Sequence, residues 1–325
     1  MPCDRYEMDR IYTNIAFDPP SAHYVAATAI TVPFQAYDEE GEIQLGPEGE
    51  NLIPPTNERS SVELFSQGSD PWRVIDGYDL DQNEQVLCME SVSLESPSTP
   101  SGFRDYIAVG TGFDFAEDRA SRGNVYIFEI IETIAEPDRP GGGWRLKLRC
   151  KDPARNPVSA LTNITGYLLH SNGPKVHVKG LDDDERLMGL AFLDVMLYVT
   201  SIKVFKNLIL ISDMVKSVWF VSLQEDPYKF TIVSRDLQPV SLLAADFLVH
   251  DGQVTFVTND RSGDMRMVDF DPADPDSLNG EKLILRTEYH AGAPVMVSKA
   301  IARRRTANEE FAPQTQIVYG AVFLA

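Results

Sequence analysis

The sequence predicts an all-β protein, a β-propeller of four-stranded blades that makes up part of a ring of about seven blades. Two observations lead to this fold. Short apolar runs alternate with turns rich in Asp, Asn, Ser and Gly, which is typical of strands joined by tight turns. A pair of such runs around a polar turn also recurs at intervals of about 40 to 60 residues, close to the repeat length of propeller blades.

The repeated pair is clearest between residues 208 and 292. Runs at 208–211 and 218–223 flank one polar turn, and runs at 254–257 and 265–270 flank the next. A single blade cannot bury both of its faces, so blades of this kind stack against neighbours in a ring. A β-sandwich or two small barrels would also contain many short strands, but they show no repeat of this length. Aligned on the strand before the turn, the repeats begin at Tyr106, Tyr167, Leu208, Val254 and Ile317, and the strand after the turn begins at Val125, Val176, Val218 and Met265.

The remaining elements follow in chain order. A hairpin at 11–17 and 23–29 opens the chain, and residues 36–60 are acidic and rich in Gly and Pro, which predicts a surface insertion. A second polar segment, 303–314, predicts a loop insertion. We therefore expect one incomplete propeller over residues 1–325. Further strands are predicted at 62–65, 72–80, 86–94, 106–113, 125–134, 144–150, 158–164, 167–171, 175–181, 187–199, 282–290, 295–302 and 316–325.

Composition limits the function classes. The chain has 325 residues, 43% of them hydrophobic, and its 49 acidic residues against 29 basic ones give a net charge of −20. So negative a chain repels phosphate, which disfavours tight, direct nucleic-acid binding. The three cysteines are far apart in sequence, which predicts buried thiols in a reducing compartment rather than disulfides. The most apolar window, 187–202, is too short to span a membrane and contains Asp194, which we expect to turn one strand into the next.

No pattern of catalytic residues is present in the sequence. The five histidines are scattered and form no HExxH motif, and the acidic run 182–185 lacks the spacing of a calcium-binding loop. The glycines at 141–143 follow a proline rather than a strand, so they do not form a phosphate-binding loop. A Gly-x-Ser-x-Gly nucleophile motif is missing as well. The sequence predicts no catalytic residue, cofactor site or metal site.

Two groups of basic residues are candidates for contact with RNA or with a partner's acidic surface. The first group clusters in sequence near one blade and the second lies in a loop; a role in solubility or in contact with a partner is favoured over contact with RNA. The candidates are Lys203, Lys206 and Lys216 in one blade, and Arg303, Arg304 and Arg305 in the second insertion.

Several stretches carry a resemblance to a known family. NLILISDMVKSVWFVSLQEDPYKFTIVSRDLQPVSLLAADFLV, VTNDRSGDMRMVDFDP and EYHAGAPV resemble the C-terminal propeller of the largest subunit of the cleavage and polyadenylation specificity factor. GFRDYIAVGTGF, RGNVYIFEIIE and GLAFLDVMLYVTSIKVFKN are similar to segments just upstream in that family. The resemblance covers residues 11–295 and is most specific over 187–295. Family members are several times longer, with two further propellers and a helical segment, so the resemblance implies that this chain is a piece of such a protein.

The resemblance implies a non-catalytic scaffold in the nucleus. It would belong to the machinery that cleaves and polyadenylates pre-mRNA, would hold a WD-repeat subunit and a zinc-finger subunit, and would meet pre-mRNA mainly through the complex. The large subunit of the damaged-DNA-binding complex and a splicing-factor subunit share the architecture. An adaptor in a ubiquitin-ligase, DNA-repair or splicing assembly therefore stays open as an alternative, and direct nucleic-acid binding is a third.

Overall fold

A computed structural model describes residues 10–44, 55–65, 73–134, 143–195, 197–250, 252–302 and 316–322. These residues form five four-stranded antiparallel sheets and one two-stranded sheet. The only helix in these ranges is a single 3-10 turn, Pro275–Ser277. The strands, sheet by sheet, are β1 (Ile11–Asp18), β2 (His23–Pro33), β3 (Thr56–Phe65) and β4 (Val74–Asp79); β5 (Glu84–Glu95), β6 (Phe103–Phe113), β7 (Gly123–Glu132) and β8 (Trp144–Ala154); β9 (Leu161–Ile164), β10 (Tyr167–Asn172), β11 (Lys175–Leu181) and β12 (Leu187–Asp194); β13 (Val199–Phe205), β14 (Leu208–Asp213), β15 (Ser217–Glu225) and β16 (Tyr228–Arg235); β17 (Leu242–His250), β18 (Gln253–Asp260), β19 (Asp264–Phe270) and β20 (Ile284–His290); and β21 (Val295–Ala302) with β22 (Gln316–Val322).

Each four-stranded sheet is a simple meander. Strands that are neighbours in sequence are hydrogen-bonded neighbours in the sheet, as in the blades of a propeller. The predicted fold class is therefore confirmed: the chain is all-β and built from blade-type sheets.

The repeat read from the sequence corresponds to the inner strands of these sheets. Four of the five predicted starts before the polar turn fall in the second strands β6, β10, β14 and β18, and Ile317 falls in β22 of the two-stranded sheet. The predicted starts after the turn fall in the third strands β7, β11, β15 and β19. Most of these inner strands have successive buried residues and therefore buried side chains on both faces, which produces apolar runs, whereas β11 and β19 are largely half-buried. Outer strands are harder to find: β13 is mostly half-buried, β16 exposes most of its side chains, and no apolar run marks either strand.

Two predicted boundaries differ in the structure. Strand β3 begins at Thr56, inside the predicted insertion 36–60, and its first residues pair with the end of β2, with Thr56 opposite Pro33. The polar sequence at 56–60 conceals this strand because the pairing is mostly exposed there. The predicted strand 187–199 is two strands, β12 and β13, and β12 ends at Asp194, where the sequence predicts a turn. Residues 45–54 of the first insertion and 303–314 of the second lie outside the described residues.

The chain divides into two compact units. Unit 1 contains residues 1–173 and 178–189, and unit 2 contains 174–177 and 190–325. In unit 1 the largest buried side chains include Tyr126 and Phe128, whose rings are stacked with centroids 5.9 Å apart. In unit 2, Phe220 packs against Phe256 with ring centroids 4.9 Å apart. Each unit has its own buried apolar cluster, which holds its turns in fixed positions.

Candidate interaction surface

Buried Asp213 shapes the turn between β14 and β15. It is the last residue of β14, and its side chain is fully shielded from solvent. One carboxylate oxygen accepts the backbone N–H groups of Val215 at 2.8 Å and Lys216 at 2.9 Å. The other oxygen accepts those of Leu197 at 3.1 Å and Tyr198 at 3.3 Å. Four charge-assisted hydrogen bonds to the backbone fix this turn and the segment leading into β13.

Asp260 has the same position in the next sheet. It ends β18, is buried, and accepts the N–H groups of Ser262 at 2.8 Å and Asp264 at 2.9 Å on one oxygen. The aspartates of the two repeated polar turns are therefore structural: each satisfies the free N–H groups of a tight turn. In the sequence each of these two second strands ends in an aspartate, but the sequence does not show which groups the aspartate contacts.

The segment between β16 and β17 joins the two turns. The Ser241 hydroxyl donates to the Met214 carbonyl at 2.7 Å, and the Arg261 N–H donates to the Ser241 carbonyl at 2.9 Å. The Ser217 N–H donates to the Val240 carbonyl at 3.1 Å. The Ser217 hydroxyl also donates to the Asp236 carboxylate at 2.5 Å, which places residues 236–238 beside the first turn. We call the exposed residues of the two turns and of this segment the turn surface: Met214, Val215, Lys216, Leu237, Gln238, Arg261 and Ser262.

The turn surface carries apolar side chains in solvent. Met214 is 36% exposed, Val215 40% and Leu237 56%. Exposed Lys216 and Arg261 lie beside them. An exposed apolar group with a polar rim on a rigid base is the arrangement of a protein-binding site. Sequence reasoning missed these three residues, although an apolar residue in an otherwise polar turn is a signal that could have identified them.

The three candidate lysines do not form one patch. Lys206 lies in the turn between β13 and β14, whereas Lys216 lies in the turn at the other end of β14, roughly 20 Å away for a six-residue strand. Lys203 lies within β13, opposite Leu210 of β14. Only Lys216 belongs to the turn surface. Arg303, Arg304 and Arg305 lie outside the described residues.

Glu84 in unit 1 is completely shielded from solvent. It accepts hydrogen bonds from the Thr111 hydroxyl at 2.5 Å, the Asn124 amide at 2.7 Å and the Tyr126 hydroxyl at 2.9 Å. Burial and the Glu84 charge raise the pKa of Tyr126. The Asp81 N–H also donates to this carboxylate at 3.3 Å, so Glu84 is a structural group that ties β5 to β6 and β7.

The thiols of Cys88 and Cys150 in unit 1 are held in the protonated form. The Cys88 thiol donates to the Val158 carbonyl at 3.3 Å, and burial raises its pKa. Burial also raises the pKa of Cys150. Because the thiolate is the reactive form, neither side chain is suited to nucleophilic chemistry near neutral pH.

The described ranges contain neither a metal-binding group nor a membrane-spanning helix. These ranges contain no group of three or more His, Cys, Asp or Glu residues that could hold a metal ion. A helix long and apolar enough to cross a membrane is likewise not found among the residues that the structure describes.

Comparison with known proteins gives one consistent family. The profile of the CPSF A subunit region matches residues 59–322. Protein cft1 of Schizosaccharomyces pombe is 35% identical over 291 residues, which cover 90% of this chain and 20% of that protein. Protein cft1 of Aspergillus oryzae is 33% identical over 304 residues, 91% of this chain and 21% of that protein. Protein CFT1 of Yarrowia lipolytica is 36% identical over 272 residues, 83% of this chain and 21% of that protein. The chain thus spans about a fifth of the length of the curated relatives it matches.

Proposed function

The chain belongs to the CPSF A subunit region family, and from that membership we propose that it is a non-catalytic scaffold in the nuclear machinery that cleaves and polyadenylates pre-mRNA. Its work in this role is to hold other subunits at fixed positions. Sheets with short, rigid turns suit such a role because the turns present a surface that does not have to be ordered on binding.

The turn surface is the observation that carries this proposal. Met214, Val215 and Leu237 are exposed, and the hydrogen bonds of Asp213 and Ser241 hold the backbone beneath them. Apolar side chains on a preorganised backbone bind a partner without a large loss of conformational entropy. The partners we propose are the WD-repeat and zinc-finger subunits of the same complex.

In our proposal the chain meets RNA mainly through these partner subunits. The net charge of −20 disfavours binding of a long RNA phosphate backbone along the surface of this chain. Direct contact through Arg303, Arg304 and Arg305 remains a prediction with a simple check. Reversing all three charges should weaken oligoribonucleotide binding and reduce its salt dependence, whereas an unchanged affinity and salt slope would remove these arginines from the interface.

The alternative of an adaptor in a ubiquitin-ligase, DNA-repair or splicing assembly has less support. The matching family profile is that of the CPSF A subunit region, and the three relatives described above all carry the name Cft1. Both observations favour the role in 3′-end processing.

Co-purification tests the scaffold role. The tagged chain carrying Val215→Glu and Leu237→Glu is expressed in cells that contain the cleavage and polyadenylation machinery. We expect recovery of the WD-repeat and zinc-finger subunits to fall by about tenfold or more, because two carboxylates would be buried at an apolar contact.

The matched control carries Ile232→Glu and Leu285→Glu. These residues are 40% and 41% exposed and lie on the outer strands β16 and β20 of the same two sheets. The control should recover both subunits as the unchanged chain does, with similar thermal stability. Equal recovery by the two variants would remove the turn surface from the interface, and recovery of a cullin in place of these subunits would favour the adaptor.

A further inference from the structure

Unit 1 contains an open pocket that has no part in the scaffold role proposed above. It has a volume of about 690 Å³ and lies between the loop joining β6 to β7 and the end of β8. Its lining includes two aromatic and four basic residues, and we call it the arginine pocket: Phe113, Phe115, Arg119, Arg122, Lys151 and Arg155.

The charges in the arginine pocket are not balanced. Lys151 pairs with Asp81, also in the lining, at 2.9 Å. In the parts of the chain that the structure describes, none of Arg119, Arg122 and Arg155 forms an ion pair. A chain with 49 acidic and 29 basic residues would be expected to pair its arginines readily. Three unpaired guanidinium groups around one concavity therefore form a site of local positive potential.

The aromatic residues hold one of these cations in place. Phe113 and Phe115 are stacked, with ring centroids 5.1 Å apart and planes inclined by 7°. The guanidinium carbon of Arg119 lies over the Phe115 ring, 4.6 Å from its centroid. A cation above an aromatic ring is stabilised by the ring quadrupole. Arg119 is thus preorganised, whereas Arg122 and Arg155 are exposed and can adjust to a ligand.

From this geometry we infer that the arginine pocket binds a short acidic segment of a protein partner, through its carboxylate or phosphoryl groups. The planar fork of a guanidinium group matches both kinds of anion with paired hydrogen bonds, and clusters of arginine are a recurrent means of recognising acidic and phosphorylated motifs. Phe113 and Pro153 add an apolar wall for the neighbouring part of the segment.

The same geometry disfavours RNA as the ligand. Single-stranded RNA needs an aromatic ring that is free to stack on a base, and Phe115 already contacts both Phe113 and Arg119. Exposed Asp114 and Asp118 lie on the same loop and would repel a phosphate chain that continued past the pocket. An RNA chain carries a charge at every nucleotide, whereas the residues that flank a short acidic segment of a protein can be neutral or basic and need not be repelled.

The inference rests on the proposed scaffold role and deepens it, since it gives one docking point a defined chemistry. Fluorescence anisotropy with the full chain tests it. The probes are fluorescein-labelled hexaglutamate, a phosphoserine peptide of the same length, neutral hexaalanine and hexauridylate. We expect Kd below about 1 mM for at least one acidic peptide, and no binding of hexaalanine.

Two exposed arginines of the pocket are then replaced together. Arg122→Glu with Arg155→Glu should weaken acidic-peptide binding at least tenfold, and the milder Arg122→Gln with Arg155→Gln serves if the first variant does not fold. The control is Arg73→Glu with Lys147→Glu, which changes the charge by the same amount. Lys147 lies seven residues from Ala154 along β8, roughly 23 Å from the pocket. The control should bind the peptides within twofold of the unchanged chain.

Each outcome of these binding measurements either supports or contradicts the inference. A preference for hexaglutamate or for the phosphoserine peptide identifies the anion, and either supports the inference. Tighter binding of hexauridylate than of both peptides would overturn it, as would equal losses in the pocket and control variants or no peptide binding below about 1 mM. If peptide binding fails while the turn surface still governs co-purification, the inference alone is wrong. If co-purification fails in the unchanged chain, the scaffold role is wrong instead.

Discussion

Gly123 lies where three backbone segments of unit 1 meet. A Cβ atom at this position would be 2.3 Å from the Thr111 carbonyl oxygen, 2.9 Å from that of Asn156 and 3.1 Å from the Val158 nitrogen. All three neighbours are backbone atoms and cannot move aside. The RG pair in RGNVYIFEIIE, part of the family resemblance, therefore has a physical meaning: its glycine allows close packing at the start of β7.

We expect Gly123→Ala to lower the free energy of unfolding by about 3 kcal/mol, the upper part of the range for overpacked cores, because the backbone must shift. Urea unfolding measures the change. Gly189→Ala is the matched control, since Gly189 lies in β12 and a Cβ there meets nothing within 4 Å. Equal stability losses in the two variants would show that the close approach at Gly123 is not the cause.

The buried thiols of Cys88 and Cys150 make stability dependent on alkaline pH. In the folded state burial raises the pKa of both thiols, whereas in the unfolded chain they ionise near the ordinary value of about 8.5. Above that pH the unfolded state releases protons that the folded state retains. Stability contributed by these groups is therefore complete below about pH 8.5 and is lost as the pH rises.

We expect the free energy of unfolding to fall by about 1.4 kcal/mol per pH unit above about pH 9 through the Cys88 thiol, with a further decrease from Cys150, whose pKa is also raised. Urea unfolding at several pH values, in a reducing buffer, measures the slope. Cys88→Ser removes one ionising group and should make the slope shallower by that amount. An unchanged slope in Cys88→Ser would mean that the thiol ionises equally in both states.

At the scale of single elements, the inner strands β14 and β18 show how a sheet is built from its sequence. Each contains buried apolar residues, 209–211 in β14 and Phe256 and Val257 in β18, and ends in a buried aspartate that organises the following turn. The apolar part could be predicted because burial on both faces produces an unbroken run. The role of the aspartate could not, since an aspartate in a turn can equally be exposed.

We expect Asp213→Ala to destabilise the chain by about 3 kcal/mol, because four backbone N–H groups lose their acceptor. Thermal or urea unfolding gives the value. Glu225→Ala, at the exposed end of β15 in the same sheet, should change stability by less than about 0.5 kcal/mol. If Asp213→Ala lowers the free energy of unfolding as little as Glu225→Ala does, water replaces the hydrogen bonds of the Asp213 carboxylate without cost in stability.

At the scale of the whole molecule, the sequence predicts one incomplete propeller over residues 1–325, whereas contacts divide the chain into two compact units. The prediction has a consequence for cooperativity. Blades of one ring bury their faces against neighbours, so loss of one part should destabilise the other.

Single-tryptophan variants measure this cooperativity. Trp144 lies in β8 of unit 1 and Trp219 in β15 of unit 2. Trp72→Phe combined with Trp219→Phe leaves Trp144 as the reporter, and Trp72→Phe combined with Trp144→Phe leaves Trp219. For one propeller we expect both reporters to give the same urea midpoint as far-UV circular dichroism. Two separate midpoints would assign the units to independently folding domains.

The all-β class, the blade repeat, the inner strands and the family resemblance all came from the sequence by itself. These features depend on local patterns, since a strand buried on both faces needs an apolar run and a tight turn needs Asp, Asn, Ser or Gly. Tertiary structure alone decided which side chains meet. Lys206 and Lys216 are close in sequence but lie at opposite ends of β14, whereas Arg119 and Arg155, far apart in sequence, line one pocket. The physical reason is that strand register and loop paths set distances through space, and neither is encoded in the spacing of residues along the chain.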